Sequence, residues 1–541
     1  MDRDLRSCVH PEGRFVFGVH RPTYHVINNR LTKRIEELGQ TREGKSVINE
    51  PNFPDGDLEV TSAQHIYEIP NAFPFWGTTY ILGDVAARAA LLDKPVSLAP
   101  KGKTDFASWD EFHKLCLEKI PRPVLIAVAQ SCRDPEILSR LLPLSAEFVL
   151  DQDGTIRGLR YQKAHNGQPV PCIKDHGLFE TLGNNPSLPD ELKQVMLLRP
   201  GVQGRSPIVG EYVDKDRCHI WEYLRANSYI AWGHYAANMA EDSIRYSVAE
   251  LDLSDMTGLR HLYYQRIFTS LASELGILGH GRRLLTKDEL EELRCLIKTR
   301  LDRHGKNNLR FSATLWGWNY GYDFSPSGFR LHASHQQIHQ QFALIPESVE
   351  GQGAKNSKIP SYAVGDMVST FAEKFEKRYG KAFFTSYINA IFSNSRTDGR
   401  DDLEHDLLIF RDENVMLFVP KAQRFHGELQ IVCLKEVGNI LEADIFVRSS
   451  LDLAIFLAVR ILHMLGARMI TTFELSKRFT SRLDQRLMYC FVPRHPQSPG
   501  AFSEHQARWI TGHFPEDFAR SCRSCLSRLR EEDFSEISKS K

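Results

Sequence analysis

The segment HASHQQIHQQF (332–342) constrains this chain more than any other. Read with the strand period of two, it places His335, Gln337, His339 and Gln341 on one face and Ser334, Gln336, Ile338, Gln340 and Phe342 on the other. A row of imidazoles and carboxamides makes a poor apolar surface, so that face should lie against solvent or a polar cleft. Two His at i, i+4 would also suit a helical metal pair. No HExxH motif or third ligand accompanies them, and the Gln, Ile and Phe between them favour a strand. A chemically inert polar strand face is the larger rival reading.

The residues around this segment repeat one order twice. RFSATLWGWNYGYDFSPSGFRL (310–331) leads in with an extended run and a Ser-Pro-Ser-Gly turn, so 310–346 reads as two paired strands. Before it, Met256, Leu259, Leu262, Tyr263, Ile267 and Leu271 recur at helical spacing in 254–277. A second helix opens on the capping box Thr286-x-x-Glu289 and ends near Gly305. After a Gly/Ser/Lys linker at 350–361 come strands within 406–420 and 427–434, a helix at about 449–466, strands in ARMITTFEL and QRLMYCFVPR, and a helix at 515–529. Nearer the N-terminus, 65–84 reads strand, turn, strand, and 219–240 is strand-rich. VLIAVAQ (124–130) and AEFVL (146–150) read as short β runs. The expected fold class is α+β. Its parts are an N-terminal α+β portion (1–204), a first half (205–346), a linker and helical connection (347–404), a second half (405–530) and a tail (531–541).

Lys+Arg and Asp+Glu both number 68, which removes the basic surplus that a nucleic-acid partner normally demands. The ten cysteines are too scattered for a disulfide framework. MDRDLRSCVHPEGRF has no apolar stretch of the secretory kind, and LDLAIFLAVRILHMLG (451–466) is broken by Asp452, Arg460 and His463. The expectation is a cytoplasmic protein with no membrane partner. GxGxxG and P-loop motifs are absent, so dinucleotide redox chemistry and Walker-type ATP hydrolysis find no support. An imidazole beside neutral carboxamides suits attack on phosphorus: His is nucleophilic near neutral pH, and an N–H donor can stabilise the developing charge without repelling a nucleotide.

Ser334-His335-Gln336-Gln337-Ile338-His339-Gln340-Gln341 resembles the active-site strand of the histidine-triad superfamily, in its branch of galactose-1-phosphate uridylyltransferases and dinucleoside-tetraphosphate phosphorylases, roughly S-x-x-H-x-H-x-Q. WNYGYDFSPSGF (318–329) and Asn227-x-Tyr229…Gly233-His234 resemble the elements that precede it. VMLFVPKAQRF (415–425), RLMYCFVPR (486–494) and 500–523 resemble a degenerate second half, so the likeness spans roughly 205–346 and 405–530. It implies two half-barrel units with antiparallel sheets and flanking helices. It also implies a nucleotidyltransferase or phosphorylase working through a nucleotidyl-histidine, on a nucleoside polyphosphate or nucleotide-sugar with a phosphate-bearing acceptor. A homodimer is compatible with it. A non-catalytic nucleotide-binding relative and a nucleotide hydrolase are the alternatives.

By the same resemblance His339 stands at the nucleophile, Gln341 at the contact to the transferred phosphate, and Ser334 beside phosphate oxygens. The Gln337 carbonyl would hold the second imidazole nitrogen. Asn227 in NSYIAWGH and Asn71 in NAFPF compete for the nucleotide-contacting Asn. Gln337 replaces the first His of the H-x-H pair, which helps bind zinc in metal-containing uridylyltransferases. Their early CxxC is missing, and Cys522-Arg-Ser-Cys525 falls in an expected helix, so neither structural zinc nor another cofactor is expected. Trp316 and Trp318 read as core before base stacking. Lys421 and Arg424 match a region that contacts the second substrate in the family.

Overall fold

Alternation along short apolar strands decides the architecture. Val415 and Leu417 pack into one apolar cluster, whereas Met416 and Phe418 between them pack into another. Ile431 and Val432 divide the same way. Successive side chains of a strand point to opposite faces, so strands with both faces buried must form the middle layer of three. The computed structural model describes residues 3–21, 24–60, 65–92, 95–98, 119–163, 169–185, 187–196, 228–229, 236–237, 251–277, 283–304, 309–321, 339–352, 357–467, 469–494 and 500–537.

The middle layer is a seven-stranded sheet of β1 (Phe311–Gly321), β2 (His339–Pro346), β3 (Leu408–Arg411), β4 (Val415–Phe418), β5 (Leu429–Cys433), β6 (Met469–Leu475) and β7 (Met488–Arg494). Its order is β2-β1-β6-β7-β5-β4-β3, with every neighbouring pair antiparallel. The α+β class expected from the sequence is what the chain adopts. The strands of the two halves do not keep separate sheets: β1 pairs with β6 through Gly317↔Phe473 and Asn319↔Thr471, making the sheet continuous.

Helices α1 (Leu253–Glu274), α2 (Lys287–His304), α5 (Ile445–Met464) and α6 (Pro515–Ile537) supply the cluster on one face. Helices α3 (Val364–Tyr379) and α4 (Phe383–Phe392) supply the aromatic cluster on the other. Side chains close the helix starts. Asp252 caps α1 in a capping box with Asp255, and Asp444 caps α5. At α2 the box read from the sequence is present, with Thr286 N–H donating to Glu289 Oε2 (2.8 Å) and Glu289 N–H to Thr286 Oγ1 (3.2 Å).

A four-stranded sheet ties the two ends of the chain together. Arg508–Thr511 runs parallel to Thr78–Leu82, followed in order by Ile66–Pro70 and Gly18–His20. Gly77 permits this meeting: its φ is 83°, and a Cβ there would lie 1.9 Å from the Ala507 carbonyl oxygen. Residues 120–196 bury a third cluster of their own. Here one expectation is corrected. VLIAVAQ lies in helix Arg122–Ser131, not a strand. Its buried Leu125 and Ala129 are four apart, and a short apolar run does not distinguish the two periods. The strand-rich reading of 219–240 falls mostly outside the described residues, which show the pair Ser228–Tyr229 and Ala236–Ala237.

The helix layer is fastened to the sheet by one buried cation. Arg260 of α1 is wholly buried. Its Nε donates to Asp452 Oδ1 (3.2 Å), and Nη2 donates to the hydroxyls of Tyr264 (2.9 Å) and Tyr489 (2.7 Å). The guanidinium also lies 4.4 Å from the Trp316 ring centre. Tyr263 and Thr314 donate to Glu474 Oε1, both at 3.1 Å, and Tyr489 donates to Oε2. Burial pushes the Asp452 carboxyl up to about 6 and raises Glu474 as well, while Arg260 pulls both back down.

A carboxyl with a raised folded pKa binds more protons in the native state, so its ionisation removes stability as pH climbs from about 4 towards about 6. Without Arg260 both carboxyls rise further and that window extends upward. Replacing Arg260 by Met is therefore expected to cost roughly 3–5 kcal/mol near pH 8. The loss should be smaller near pH 5, where the orphaned acids stay protonated. Urea unfolding at the two pH values checks this; an equal loss at both would remove the carboxyls from the account.

Candidate functional site

Strand β2 lies at one edge of the large sheet and pairs only with β1 among the described strands, with His339 opposite Asn319 and Gln341 opposite Gly317. The two sides of β2 differ sharply. The Gln340 Oε1 accepts from Trp316 Nε1 (2.9 Å), and its Nε2 donates to the Leu259 carbonyl on α1 (3.2 Å). Phe342 packs against Tyr263, with ring centres 5.5 Å apart. Gln340 and Phe342 therefore face the helix layer. Gln341 is exposed. This is the partition expected from the sequence for the residues that can be compared.

Ser334, His335 and Gln337, with the turn before them, lie outside the described residues, as does Asn227. Asn71 serves a turn of the fold. It is buried, its Oδ1 accepts from the Phe73 N–H (3.1 Å), and its Nδ2 donates to the Ala422 carbonyl (3.1 Å). That is an Asx turn clamped onto the segment after β4. Lys421 and Arg424 are buried too. The Lys421 ammonium donates to Asn394 Oδ1 (2.9 Å), the Ser395 carbonyl (2.8 Å) and Glu516 Oε1 (2.7 Å). Arg424 pairs with Glu428 and lies 3.7 Å from the Trp76 ring centre. Both cations are held inside the fold. Trp316 and Trp318 are core, as the sequence suggests.

Sequence reasoning passed over a cleft of about 170 Å³ among α1, α2 and α5, lined in part by His261, Lys287, Arg448 and Asp452. Burial lowers the His261 pKa. The signal was present, since Asp452 interrupts an otherwise apolar helical stripe. The cleft sits in the layer that Gln340 faces, not on the side of Gln341. Among the described residues no group of three His, Cys, Asp or Glu side chains is arranged to hold a metal ion. Cys522 and Cys525 are buried within α6, and burial raises the Cys522 thiol well above its ordinary value. No described helix is long and apolar enough to cross a membrane.

No family model matches the chain, and no curated protein is similar to it. Among solved structures it is similar to a uridylyltransferase, at 12% identity over 45% of this chain and 69% of that one, with a TM-score of 0.32. An Arabidopsis thaliana ADP-glucose phosphorylase with bound ADP-glucose gives 12% identity, 52% and 70% coverage and a TM-score of 0.33. A GalT-like protein from the same plant gives 12%, 44%, 69% and 0.31. Likeness this distant leaves the activity to the residues of the site.

The two carboxamides of β2 and the one at Asn71 should separate by stability. Asn71→Ala and Gln340→Ala each strip buried partners and should cost about 1–3 kcal/mol. Gln341→Ala should stay within about 0.5 kcal/mol, because its side chain is exposed. Urea denaturation of the three variants is the measurement, and a large loss at Gln341 would place it in the fold.

Proposed function

We propose that this chain is a nucleotidyltransferase or phosphorylase that acts on a nucleoside polyphosphate or nucleotide-sugar through a covalent nucleotidyl-His339. The carrying observation is the order of Ser334, Gln337, His339 and Gln341, joined to a β2 strand whose helix-facing side is filled by Gln340 and Phe342 and whose other side leaves Gln341 exposed. In this reading 205–346 is the catalytic half-barrel unit and 405–530 its degenerate partner.

An imidazole nitrogen of His339 attacks the α-phosphorus, the bond from phosphorus to the leaving phosphate oxygen breaks, and a phosphoramidate forms. The Gln341 carboxamide donates to a non-bridging oxygen as charge builds on it, and Ser334 approaches the same phosphate. The Gln337 carbonyl accepts from the other imidazole nitrogen, a main-chain role that survives the loss of a His side chain. Phosphate or a sugar phosphate then attacks the phosphoramidate, and His339 leaves. Asn227 is the nucleotide-contacting Asn of this proposal, because the Asn71 side chain is buried and bonded to the Phe73 N–H and the Ala422 carbonyl. The Gln337 substitution favours a second reading, a relative that binds nucleotide without turning it over.

Incubation with α-³²P-labelled ATP, GTP and UDP-sugars should leave acid-labile, base-stable label on the protein, absent from His339→Ala. In turnover, His339→Ala should lose at least ~10³-fold. Gln341→Ala should lose about 10- to 10³-fold, the scale of one donor to developing charge. His335→Ala should lose far less. Near-normal turnover in His339→Ala would end the covalent mechanism, and binding without label in the native chain would favour the second reading.

A further inference from the structure

Three helices open on one cleft. Leu253, Lys287 and Ile445, the first residues of α1, α2 and α5, all line the cavity of about 170 Å³ in the helix layer. Its deep end is made by Asp452, Tyr264 and His261, all buried, and its outer end by Leu253 and Lys287, both exposed. On α5, Ile445, Ser449 and Asp452 follow at spacings of four and three, and on α1, Leu253, Thr257 and His261 follow at four. Each helix therefore turns one continuous stripe towards the space between them.

The carboxylate at the deep end is only half used. Among the described residues the donors to Asp452 are Arg260 Nε (3.2 Å) and the Tyr264 hydroxyl (3.0 Å), and both reach Oδ1. Oδ2 receives no described donor, although the residue is only 6% exposed. A carboxylate oxygen that deep calls for a hydrogen-bond donor, and a charged one serves best. Arg448 does not supply it, being held by Glu291 (2.9 Å) and the Ala443 carbonyl (3.0 Å). Lys287 stands at the other end, beside the three helix starts, whose dipoles favour negative charge.

We propose that the cleft binds a small aliphatic amino acid of about valine's size. Its ammonium donates to Asp452 Oδ2, its carboxylate lies towards Lys287 and the helix starts, and its alkyl group packs on Leu253, Leu290 and Ile445. Charge selects this class. A bare anion would meet the Asp452 carboxylate, and a bare cation would meet Lys287 and three positive helix ends. One molecule carrying both charges sets each against its opposite. Size agrees, since an engineered cavity of about 150 Å³ holds benzene, whereas pockets for drug-sized ligands begin near ~300 Å³. A nucleotide is thereby excluded from this cleft, and the inference is independent of the His339 reading.

Calorimetric titration of the full chain with L-valine should show one molecule bound per chain. Isobutylamine, which lacks the carboxylate, and isovalerate, which lacks the ammonium, should each bind at least ~10-fold more weakly, the scale of one lost hydrogen bond to a charged group. Lys287→Ala should weaken valine about 10-fold for the same reason. Ser449→Trp, which fills the cleft from an exposed position, should abolish binding. No valine binding at millimolar concentration, an equal affinity for either truncated probe, or binding unchanged in Lys287→Ala or Ser449→Trp would overturn the proposal. Should Ser449→Trp misfold, hydrogen exchange of the native chain decides instead. Amides in the first turns of α1, α2 and α5 should slow on adding valine, and unchanged exchange there would overturn it.

Discussion

A single guanidinium sets the relation between the helix layer and the sheet. Arg260 reaches Asp452 on α5, Tyr489 on β7 and the ring of Trp316 on β1, and through Tyr489 it reaches Glu474 on β6. One cation among two buried carboxyls and several phenols cannot be swapped for an apolar side chain without stranding the acids. The same network carries its order outward to the edge. Trp316 lies on Arg260 and donates to Gln340, so β2 is held with Gln340 towards the helices and Gln341 away.

A second set of buried charges fixes the C-terminal helix. Lys421 meets Glu516, and Arg396 grips Asp517 with two bonds of 2.9 Å. The Asn394 carboxamide and the Thr397 hydroxyl also donate to Glu516. All these acids sit in the first turn of α6, where the helix dipole also favours negative charge. The Asn71 turn then clamps the N-terminal sheet onto the segment that supplies Lys421. Residues that look like substrate-binding cations in one dimension thus become fasteners between distant parts of the chain.

Periodicity made most of the elements legible. The helices at 253–274, 287–304 and 445–464 announce themselves by apolar spacing of three and four and by their caps, because those signals come from backbone groups within one turn. The strand at 339–346 and its two-sided character were legible for the same reason. The helix at 122–131 was not, since a run apolar on nearly all positions satisfies both periods and only the packing of Leu125 and Ala129 selects one. Asn71 stayed ambiguous in the sequence for a related reason. An Asn in a turn can serve its own backbone or a ligand, and the carbonyl that engages it belongs to Ala422, 351 residues away.

The sequence by itself determined the α+β class, the positions of the main helices and strands, and the polar segment on which the proposed chemistry rests. These are local properties: side-chain spacing, capping and residue chemistry act over a few residues. Tertiary structure alone decided that strands of both halves join in one sheet, that Lys421 and Arg424 lie inside, and that apolar residues of 24–59 such as Leu31 and Leu58 stay exposed. Each depends on which groups meet across hundreds of residues, and burial of a charge or exposure of a leucine is settled by those neighbours and not by the residue itself.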